Sequence, residues 1–200
     1  MRIVFAGTQS VGKTTLIEDL LDALPGFRVE EEPIRAVARI TGEPPPAVPT
    51  RQAERRLIEY GRSRLLDTPR GDCVLFDRSP LDAYAHAILS MEVGGEVDPA
   101  FLAEMHPLVR ESLDACDLMV YVPVDGQVGN EQDGFRYLNE VNRRRVDTIL
   151  GDLLQPAIGL YHGPIVVVRG SREHRVEQVI RMWRAMDDGD NPPGRVDSMS

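Results

Sequence analysis

The sequence predicts a single α/β domain in which a parallel sheet lies between two layers of helices. Two observations lead to this three-layer fold class. The strand candidates are short, continuous apolar runs, which is the pattern of strands buried on both faces. Amphipathic segments alternate with these runs, and such alternation calls for right-handed crossovers on both faces of a parallel sheet. A chain of 200 residues has the length for one such domain.

Five strands and six helices follow from these patterns. Strands are predicted at residues 3–6, 27–29, 74–76, 118–122 and 165–168, with 27–29 the weakest run. Helices are predicted at residues 13–24, 50–66, 81–91, 101–113 with an interruption at Pro107, 135–154 and 172–186. The proline-rich residues 43–49 predict a loop, after which Thr50 caps the next helix. One domain therefore spans residues 1–186, and the acidic tail at 187–200 is expected to be disordered.

Composition limits the classes of partner. The net charge of -9 and the pI near 5.0 argue against broad attraction to nucleic acid or to an anionic membrane surface. Neither a bilayer-spanning stretch nor a secretory signal is expected. Cys73 and Cys116 each border an apolar run, which favours buried free thiols in a reducing cytoplasm over a disulfide. We therefore expect a cytoplasmic protein, and homodimerisation is left open.

A phosphate-binding motif lies between the first strand and the first helix. Residues 7–14 fit the Walker A pattern G-x-x-x-x-G-K-[ST] in the context that this P-loop requires. Backbone N–H groups and the positive end of the helix dipole then face the phosphates. Lys13 would reach the β- and γ-phosphates of ATP, and Thr14 would ligate Mg²⁺. The predicted nucleotide contacts are Gly7, Gln9, Ser10, Val11, Gly12, Lys13, Thr14 and Thr15.

Lysine usage supports this assignment. Lysine and arginine together number 23, and Lys13 is the only lysine. A chain that uses arginine everywhere else has thus kept a compact ammonium group at one position. The alternative, a chance glycine-rich turn, does not account for the strand and helix on either side.

Polar residues at the ends of other strands are the next candidates, because ligands of open α/β sheets lie beyond the carboxyl ends of the strands. Asp77 ends an apolar run and could hold Mg²⁺ through water or accept the proton of an attacking hydroxyl. The structural alternative is an N-cap for the helix beginning near Pro80. Arg78 and Asp82 are predicted to bind the acceptor, with a structural role equally open for Arg78.

A second acidic group follows the weak strand. Glu30, Glu31 and Glu32 precede Pro33, and Arg35 lies just beyond. Such a charge run is usually a solvated turn, although a carboxylate here could bind ribose hydroxyls or act as a base. The sequence does not separate Glu31 from Glu32, so both are predicted to bind the acceptor together with Arg35.

A third group follows the fourth strand, where Asp125 precedes a helix with one charged face. That face carries Arg136, Glu140, Arg143, Arg144 and Asp147, opposite an apolar stripe of Leu138, Val141, Val146, Ile149, Leu150 and Leu153. Arginines on a mobile helix would offset charge on the transferred group and exclude water. This predicts a lid over about residues 126–147 with Arg136, Arg143 and Arg144 as catalytic groups. The alternative is a solvated face in which Glu140 pairs with the neighbouring arginines.

The loop after the last strand gives a weaker signal. Residues 170–172 open the last helix, and this loop could cover the adenine base with Arg172 in contact with the nucleotide. Alternatively, Ser171 simply caps the helix. The four histidines share no spacing that suggests zinc, so the only cofactors predicted are ATP and Mg²⁺.

Taken together, these residues resemble the small P-loop kinases, which include nucleoside kinases, thymidylate kinase and the bacterial nicotinamide riboside kinase domain, and within them the AAA-type ATPase family that contains this last domain. The matching motifs are residues 7–14, 31–35, 77–79 with Asp82, 133–136 and 170–173. The resemblance implies a five-stranded parallel core and an ATP site at residues 7–14. It also implies that Asp77 lies beside the reacting groups and that an arginine lid begins near Arg136.

The leading hypothesis is therefore a kinase that uses ATP and Mg²⁺ to phosphorylate a nucleoside, a nucleotide or a similar alcohol. The alternative is a regulatory or switch ATPase without a small-molecule acceptor, since a P-loop permits either function. The arginines after Asp133 favour the kinase. Asp77 counts against a third hypothesis, a nucleotide-binding module that has lost catalysis.

Overall fold

Strands and helices alternate along the chain as the apolar runs predict. The computed structural model describes residues 1–44, 46, 49–125, 140–155 and 159–187. Its elements are β1 (Arg2–Ala6), α1 (Lys13–Ala23), β2 (Arg28–Glu30), α2 (Pro33–Thr41), α3 (Arg51–Asp67), β3 (Val74–Asp77), α4 (Pro80–Glu92), α5 (Pro99–Leu113), β4 (Leu118–Tyr121), α6 (Glu140–Leu153), β5 (Ile165–Val167) and α7 (Arg172–Asp187). The tail at 188–200 lies outside these residues.

The five strands form one parallel sheet in the order β2-β3-β1-β4-β5, so the predicted fold class is confirmed. The three central strands are buried along their whole length, whereas β2 and β5 are partly exposed edge strands. The register pairs Phe5 with Asp77 and Ala6 with Tyr121. The carboxyl ends of the central strands therefore meet at one edge of the sheet.

Helices cover both faces of the sheet over two separate apolar cores. One core includes Ile58, Leu81 and Met105 from α3, α4 and α5. The other joins α1 to α7 and includes Leu20 and Val179. Full burial of one such side chain contributes about 1.5–3 kcal/mol, so the two cores hold the helices at fixed positions against the sheet. In the described ranges, the structure contains no helix with the length and apolar character needed to cross a membrane.

Two features of the helices differ from the prediction. The unpredicted helix α2 begins at Pro33, whose fixed φ suits the first helical position. The predicted break at Pro107 was wrong, because α5 continues through this residue. Pro107 and Ala103, whose carbonyl loses its helical partner, both lie on the exposed side of α5, where water can replace that partner. The prediction of two buried cysteines was also partly wrong, since Cys116 is buried and Cys73 only half-buried, although both are free thiols.

The predicted division of α6 into a charged and an apolar face needs correction at two residues. Val141 was placed on the apolar stripe but is 74% exposed. Arg143 was placed on the charged face, yet it is buried with Val146 and Leu150. The reason is that Arg143 finds buried carbonyl acceptors, and such acceptors cannot be recognised from periodicity alone. The part of the predicted helix at residues 135–139 lies outside the described residues.

Candidate active site

The loop between β1 and α1 has a backbone that only certain residues can adopt. At Gly7, which has φ 151°, a Cβ atom would lie 2.4 Å from the carbonyl oxygen of Val122. Ser10 and Gly12 have φ values of 54° and 85°, in the left-handed region. Gly12 directly precedes the first residue of α1. These turns fold the loop back on itself at the positive end of the helix dipole.

The first two carbonyl groups of the loop are held by cationic side chains. Lys13 Nζ donates to the carbonyl oxygens of Gly7 at 2.8 Å and Thr8 at 2.6 Å. Arg78, from the junction between β3 and α4, also donates to Gly7 O, at 3.1 Å. Burial lowers the pKa of Lys13 to about 7, and the charge of Arg78 acts in the same direction. Contact with an anion in the loop would favour the charged lysine again.

The next three carbonyl groups are held by arginines from two helices. Arg143 of α6 donates to Gln9 O at 3.0 Å and to Ser10 O at 3.2 Å. Arg175 of α7 donates to Val11 O at 2.8 Å. Both arginines are buried.

These bonds together orient the amide groups of the loop. A peptide bond is planar and trans, so a carbonyl oxygen points away from the N–H of the following residue. Holding the carbonyls of residues 7–11 therefore also fixes the directions in which the N–H groups of residues 8–12 point. Successive N–H groups turned to one side form a concavity that binds phosphate oxygens.

Asp77 lies at the mouth of this loop. The Thr14 hydroxyl donates to Asp77 Oδ2 at 3.1 Å. The N-cap of α4 is Ser79 rather than Asp77, which leaves Asp77 without the capping role that was its structural alternative. Hard oxygen donors of this kind suit Mg²⁺, which usually takes one or two carboxylates and completes its shell with waters and phosphate oxygens. No group of three or more His, Cys, Asp or Glu residues arranged for a metal ion is found in the part of the chain that the structure describes.

Arg78 connects the loop to the acidic residues around it. Its side chain pairs with Glu32 and lies 3.4 Å from Asp82 Oδ1. Burial opposes its charge, but Glu32 and Asp82 outweigh burial and raise the pKa of Arg78. Asp82 completes the capping box of α4 with Ser79 and accepts from Gly7 N at 3.0 Å. The network thus ties the start of the loop to α4.

Arg64, a residue that sequence reasoning missed, fixes the strand ends on which these groups stand. Its guanidinium donates to the carbonyls of Glu31, Asp77 and Arg78 and lies 5.4 Å from the centre of the Phe76 ring. Burial lowers the pKa of Arg64. The sequence feature that could have identified Arg64 is its position next to Leu65, on the buried face of α3.

A cavity of about 180 Å³ opens beside Asp77 and Thr14. Its other walls combine apolar side chains of α1 and β2 with charged side chains that include Glu31, Glu32 and Arg35. The apolar residues are Ile17, Leu21 and Val29. The structure separates the two glutamates that the sequence could not. Glu32 is buried and paired with Arg78, whereas Glu31 is exposed and paired with Arg39. Arg35 is largely exposed, 3.6 Å from Glu32 Oε2.

Three predicted residues lie away from this arrangement or outside the description. Arg144 is 72% exposed and pairs with Glu140. Arg172 is also exposed and pairs with Asp19 of α1. Arg136 lies among residues 126–139, which the structure does not describe. Of the predicted lid, only residues 140–147 are therefore visible.

Arg175 was also missed by the sequence analysis. It stands one turn before Val179, so it occupies the buried side of α7. The sequence feature that could have identified Arg175 is its position in line with the apolar residues of α7. The loop residue Ser171 accepts from His174 N at 3.3 Å, as expected of a helix cap.

Comparison with known proteins shows both a family and a fold. The family model described as an AAA domain, AAA_28, matches residues 2–175. No curated protein matches the chain. Deoxyadenosine kinase from M. mycoides, solved with the products dCMP and dCDP, has a TM-score of 0.69 at 14% identity, over 92% of this chain and 100% of that one.

Two further structures share the fold. Thymidylate kinase from Candida albicans has a TM-score of 0.65 at 16% identity, over 96% of this chain and 93% of that one. The NadR protein in complex with NR has a TM-score of 0.66 at 19% identity, over 98% of this chain but 54% of NadR, so the chain spans about half of NadR. The fold is that of the P-loop nucleoside and nucleotide kinases, and because the AAA-domain model covers most of the sequence, the chain belongs to the AAA_28 family.

Proposed function

We propose that the chain is an ATP-dependent phosphotransferase that moves the γ-phosphoryl group to a hydroxyl or phosphate of a small nucleoside-like or nucleotide-like acceptor. The observation that carries this proposal is the contact between Thr14 and Asp77 at the mouth of the loop, beside a cavity lined by both charged and apolar side chains. The phosphate end of ATP and the reacting group of an acceptor can approach each other there.

The solved relatives support the same class of chemistry. Deoxyadenosine kinase was solved with dCMP and dCDP, and NadR with NR and with NAD and AMP-PNP. A nucleoside-like or nucleotide-like acceptor would match the mixed lining of the cavity, where Glu31, Glu32 and Arg35 can hydrogen-bond to hydroxyls. The apolar side chains can pack against a ring of the acceptor. Arg78 and Asp82 are proposed to support acceptor binding by holding Glu32 and the start of the loop in place.

ATP binding would rest on the loop. The N–H groups of residues 8–12 would donate hydrogen bonds to the phosphate oxygens, and Lys13 would exchange its loop carbonyls for the β- and γ-phosphates. Thr14 would hold Mg²⁺ directly and Asp77 would hold it through water, which leaves the Asp77 carboxylate able to take a proton. The ion would neutralise phosphate charge. Thr15 continues the loop into α1, and Arg172 is proposed at the base side of the nucleotide.

The transfer itself needs a proton acceptor and charge stabilisation. With a hydroxyl acceptor, its oxygen forms a bond to the γ-phosphorus while the bond from that phosphorus to the β,γ-bridging oxygen breaks, and ADP leaves. The hydroxyl proton passes to the carboxylate of Asp77. Arg143, already at the loop, would stabilise charge on the transferred group, and Arg136 and Arg144 are proposed to join it from the lid.

The decisive test is release of ADP from ATP and Mg²⁺ with and without a panel of nucleosides, nucleotides and sugars. A kinase should release little ADP alone and at least about tenfold more with its acceptor. ADP release at the same rate with and without every acceptor would instead favour the regulatory ATPase. Failure to bind ATP at millimolar concentration would exclude both the kinase and the regulatory ATPase.

Variants of Lys13 and Asp77 test the roles proposed for these two residues. Lys13→Ala should abolish turnover or weaken nucleotide binding, and Asp77→Asn should remove turnover while leaving ATP affinity within about threefold. Exchange of Glu104, an exposed carboxylate on α5, for Gln is the matched control and should leave turnover unchanged. Full turnover by the Asp77→Asn protein would rule out Asp77 as the proton acceptor.

A further inference from the structure

We propose that Arg175 is a positioning residue for the phosphate-binding loop, which ties Val11 to the ends of β4 and β5 and thereby fixes the Gly12 amide. The inference rests on the proposed function only in taking phosphate as the ligand of the loop. No part of it requires that Arg175 touch a nucleotide.

The contacts of Arg175 join three segments of the chain. Its Nε donates to Gly170 O at 3.0 Å, at the start of the loop before α7. One terminal nitrogen donates to Val11 O at 2.8 Å. The other donates to Asp125 Oδ2 at 2.6 Å, just beyond β4. The Arg175 side chain is only 5% exposed, so these acceptors replace water as its partners.

The planar guanidinium is suited to this task. It presents donors on all three nitrogens in a fixed plane, whereas a lysine ammonium is a single point on a flexible stem. Asp125 Oδ2 also lies 3.4 Å from Gly170 N, so carboxylate, loop and guanidinium brace one another. Hydrogen bonds that involve charged partners are stronger than neutral ones, and a buried pair holds its geometry because breaking it leaves a charge unpaired.

The peptide between Val11 and Gly12 is the part of the loop that this arrangement controls. Holding Val11 O directs the Gly12 N–H to the opposite side, toward the position that we assign to phosphate. The neighbouring Ser10 has φ 54°, and a left-handed residue other than glycine persists only when its surroundings determine it. Arg143 on one side and Arg175 on the other supply that determination.

The arrangement also joins the two ends of the nucleotide site. Gly170 belongs to the loop that we proposed at the base side, and Val11 belongs to the phosphate side. Because one side chain holds both, a displacement of either segment must strain the other. Loss of Arg175 should therefore release the loop without removing any group that contacts the acceptor.

The test compares Arg175→Met and Arg175→Lys with Arg181→Met, an exposed position on the same helix. Hydrogen exchange of the ligand-free proteins should show amides 8–12 exchanging at least about tenfold faster in both Arg175 variants, with the amides of β1 unchanged. The dissociation constant for ATP should rise by about tenfold or more, corresponding to about 1.4 kcal/mol, and the KM for the acceptor should stay the same. The Arg181 variant should match the wild type in loop exchange, in ATP affinity and in the KM for the acceptor.

Two results would overturn the inference. One is loop exchange and ATP affinity like those of the wild type in a folded Arg175 variant. The other is faster exchange throughout the protein, which would make Arg175 a general stabiliser only. Arg175→Lys keeps a positive charge opposite Asp125 and thus tests the inference even where the Met variant fails to fold. If wild-type protein binds no ATP, the proposed function fails, and the exchange of amides 8–12 still decides the role of Arg175.

Discussion

The arginines around the phosphate-binding loop and those between α3 and α5 both form short hydrogen bonds, but they do so in very different surroundings. Around the loop, Arg143 and Arg175 are buried and donate to main-chain carbonyls. Between the helices, Arg55 pairs with Glu104 and Arg62 with Glu111, at 2.6 Å each, in contact with solvent.

The difference shows that short distances do not measure importance. An exposed pair exchanges good contacts with water for good contacts with a carboxylate, so its net contribution is about 0–1 kcal/mol. A buried arginine forms its hydrogen bonds with protein groups that water does not reach. These groups are left without a hydrogen-bond partner when the arginine is removed. We therefore expect the buried set to control stability and loop geometry, and the exposed set to contribute little to either.

The largest expected effect tests the buried set. Arg78→Gln should lower the free energy of unfolding by about 3–5 kcal/mol, because Asp82 would lose its cation and Glu32 would keep the exposed Arg35 but lose its buried partner. Urea unfolding at pH 7 measures this change, with Arg62→Gln on the surface as the control. A loss of less than about 1 kcal/mol for Arg78→Gln would remove the distinction between the two sets.

Glu54 differs from Glu32 and Asp82, because it is a buried carboxylate that has no cation beside it among the described residues. Glu54 is buried in the first turn of α3, and its Oε2 has no hydrogen-bond partner among the described residues. Burial raises the pKa of Glu54 from 4.5 to about 8. Between these values the unfolded chain binds fewer protons, so wild-type stability should fall by up to about 1.4 kcal/mol per pH unit and level off above pH 8.

Glu54→Gln should remove this dependence, since the amide does not titrate. Unfolding of both proteins at pH 5, 6.5 and 8 measures the difference between their slopes, and Glu59→Gln on the exposed side of the same helix is the control. Parallel pH profiles for the wild type and Glu54→Gln would show that Glu54 is ionised in the folded protein.

Gly7 and Gly26 allow the same comparison of a buried and an exposed position to be made for the backbone. Gly7→Ala should cost about 1–3 kcal/mol, because its Cβ would press on the Val122 carbonyl. Gly26 also has a positive φ, of 96°, but a Cβ there would meet no atom within 4 Å, so Gly26→Ala should cost only the conformational strain of about 1 kcal/mol. Thermal unfolding compares the two variants, and equal losses would mean that strain alone decides both.

The smallest expected effect belongs to the exposed pairs. A double-mutant cycle on Arg62→Gln and Glu111→Gln should give a coupling energy of less than about 1 kcal/mol that shrinks in 0.5 M salt. Urea unfolding of the four proteins measures it. A salt-independent coupling above about 2 kcal/mol would place this pair with the buried set.

The sequence was sufficient for the fold and for one contact at the candidate site. Apolar runs located all five strands, since continuous burial leaves a clear pattern, and the motif at residues 7–14 stood where a strand meets a helix. Strand ends converge at one edge of a parallel sheet, so Asp77 could be expected near Thr14, and the structure places the two side chains in contact.

The sequence was not sufficient for the arginines that hold the backbone. Arg64 and Arg175 each bind carbonyls of segments distant along the chain, and a carbonyl acceptor is present at every residue, so no residue type marks the partner. Periodicity also placed Arg143 on the charged face of α6, because it does not distinguish a charged side chain with buried acceptors from a hydrated one. Buried arginines of this kind are recognisable only once the fold has brought the carbonyls together.

The burial of Lys13 has a practical consequence for work with this protein. The chain contains no second lysine, and the Lys13 Nζ is held by two loop carbonyls. Amine-directed acylating reagents and amine-coupled sensor surfaces therefore have two amino groups to react with, the terminal amine and this one ammonium group. The extent of acylation at Lys13, read by mass spectrometry, would report how often the loop opens.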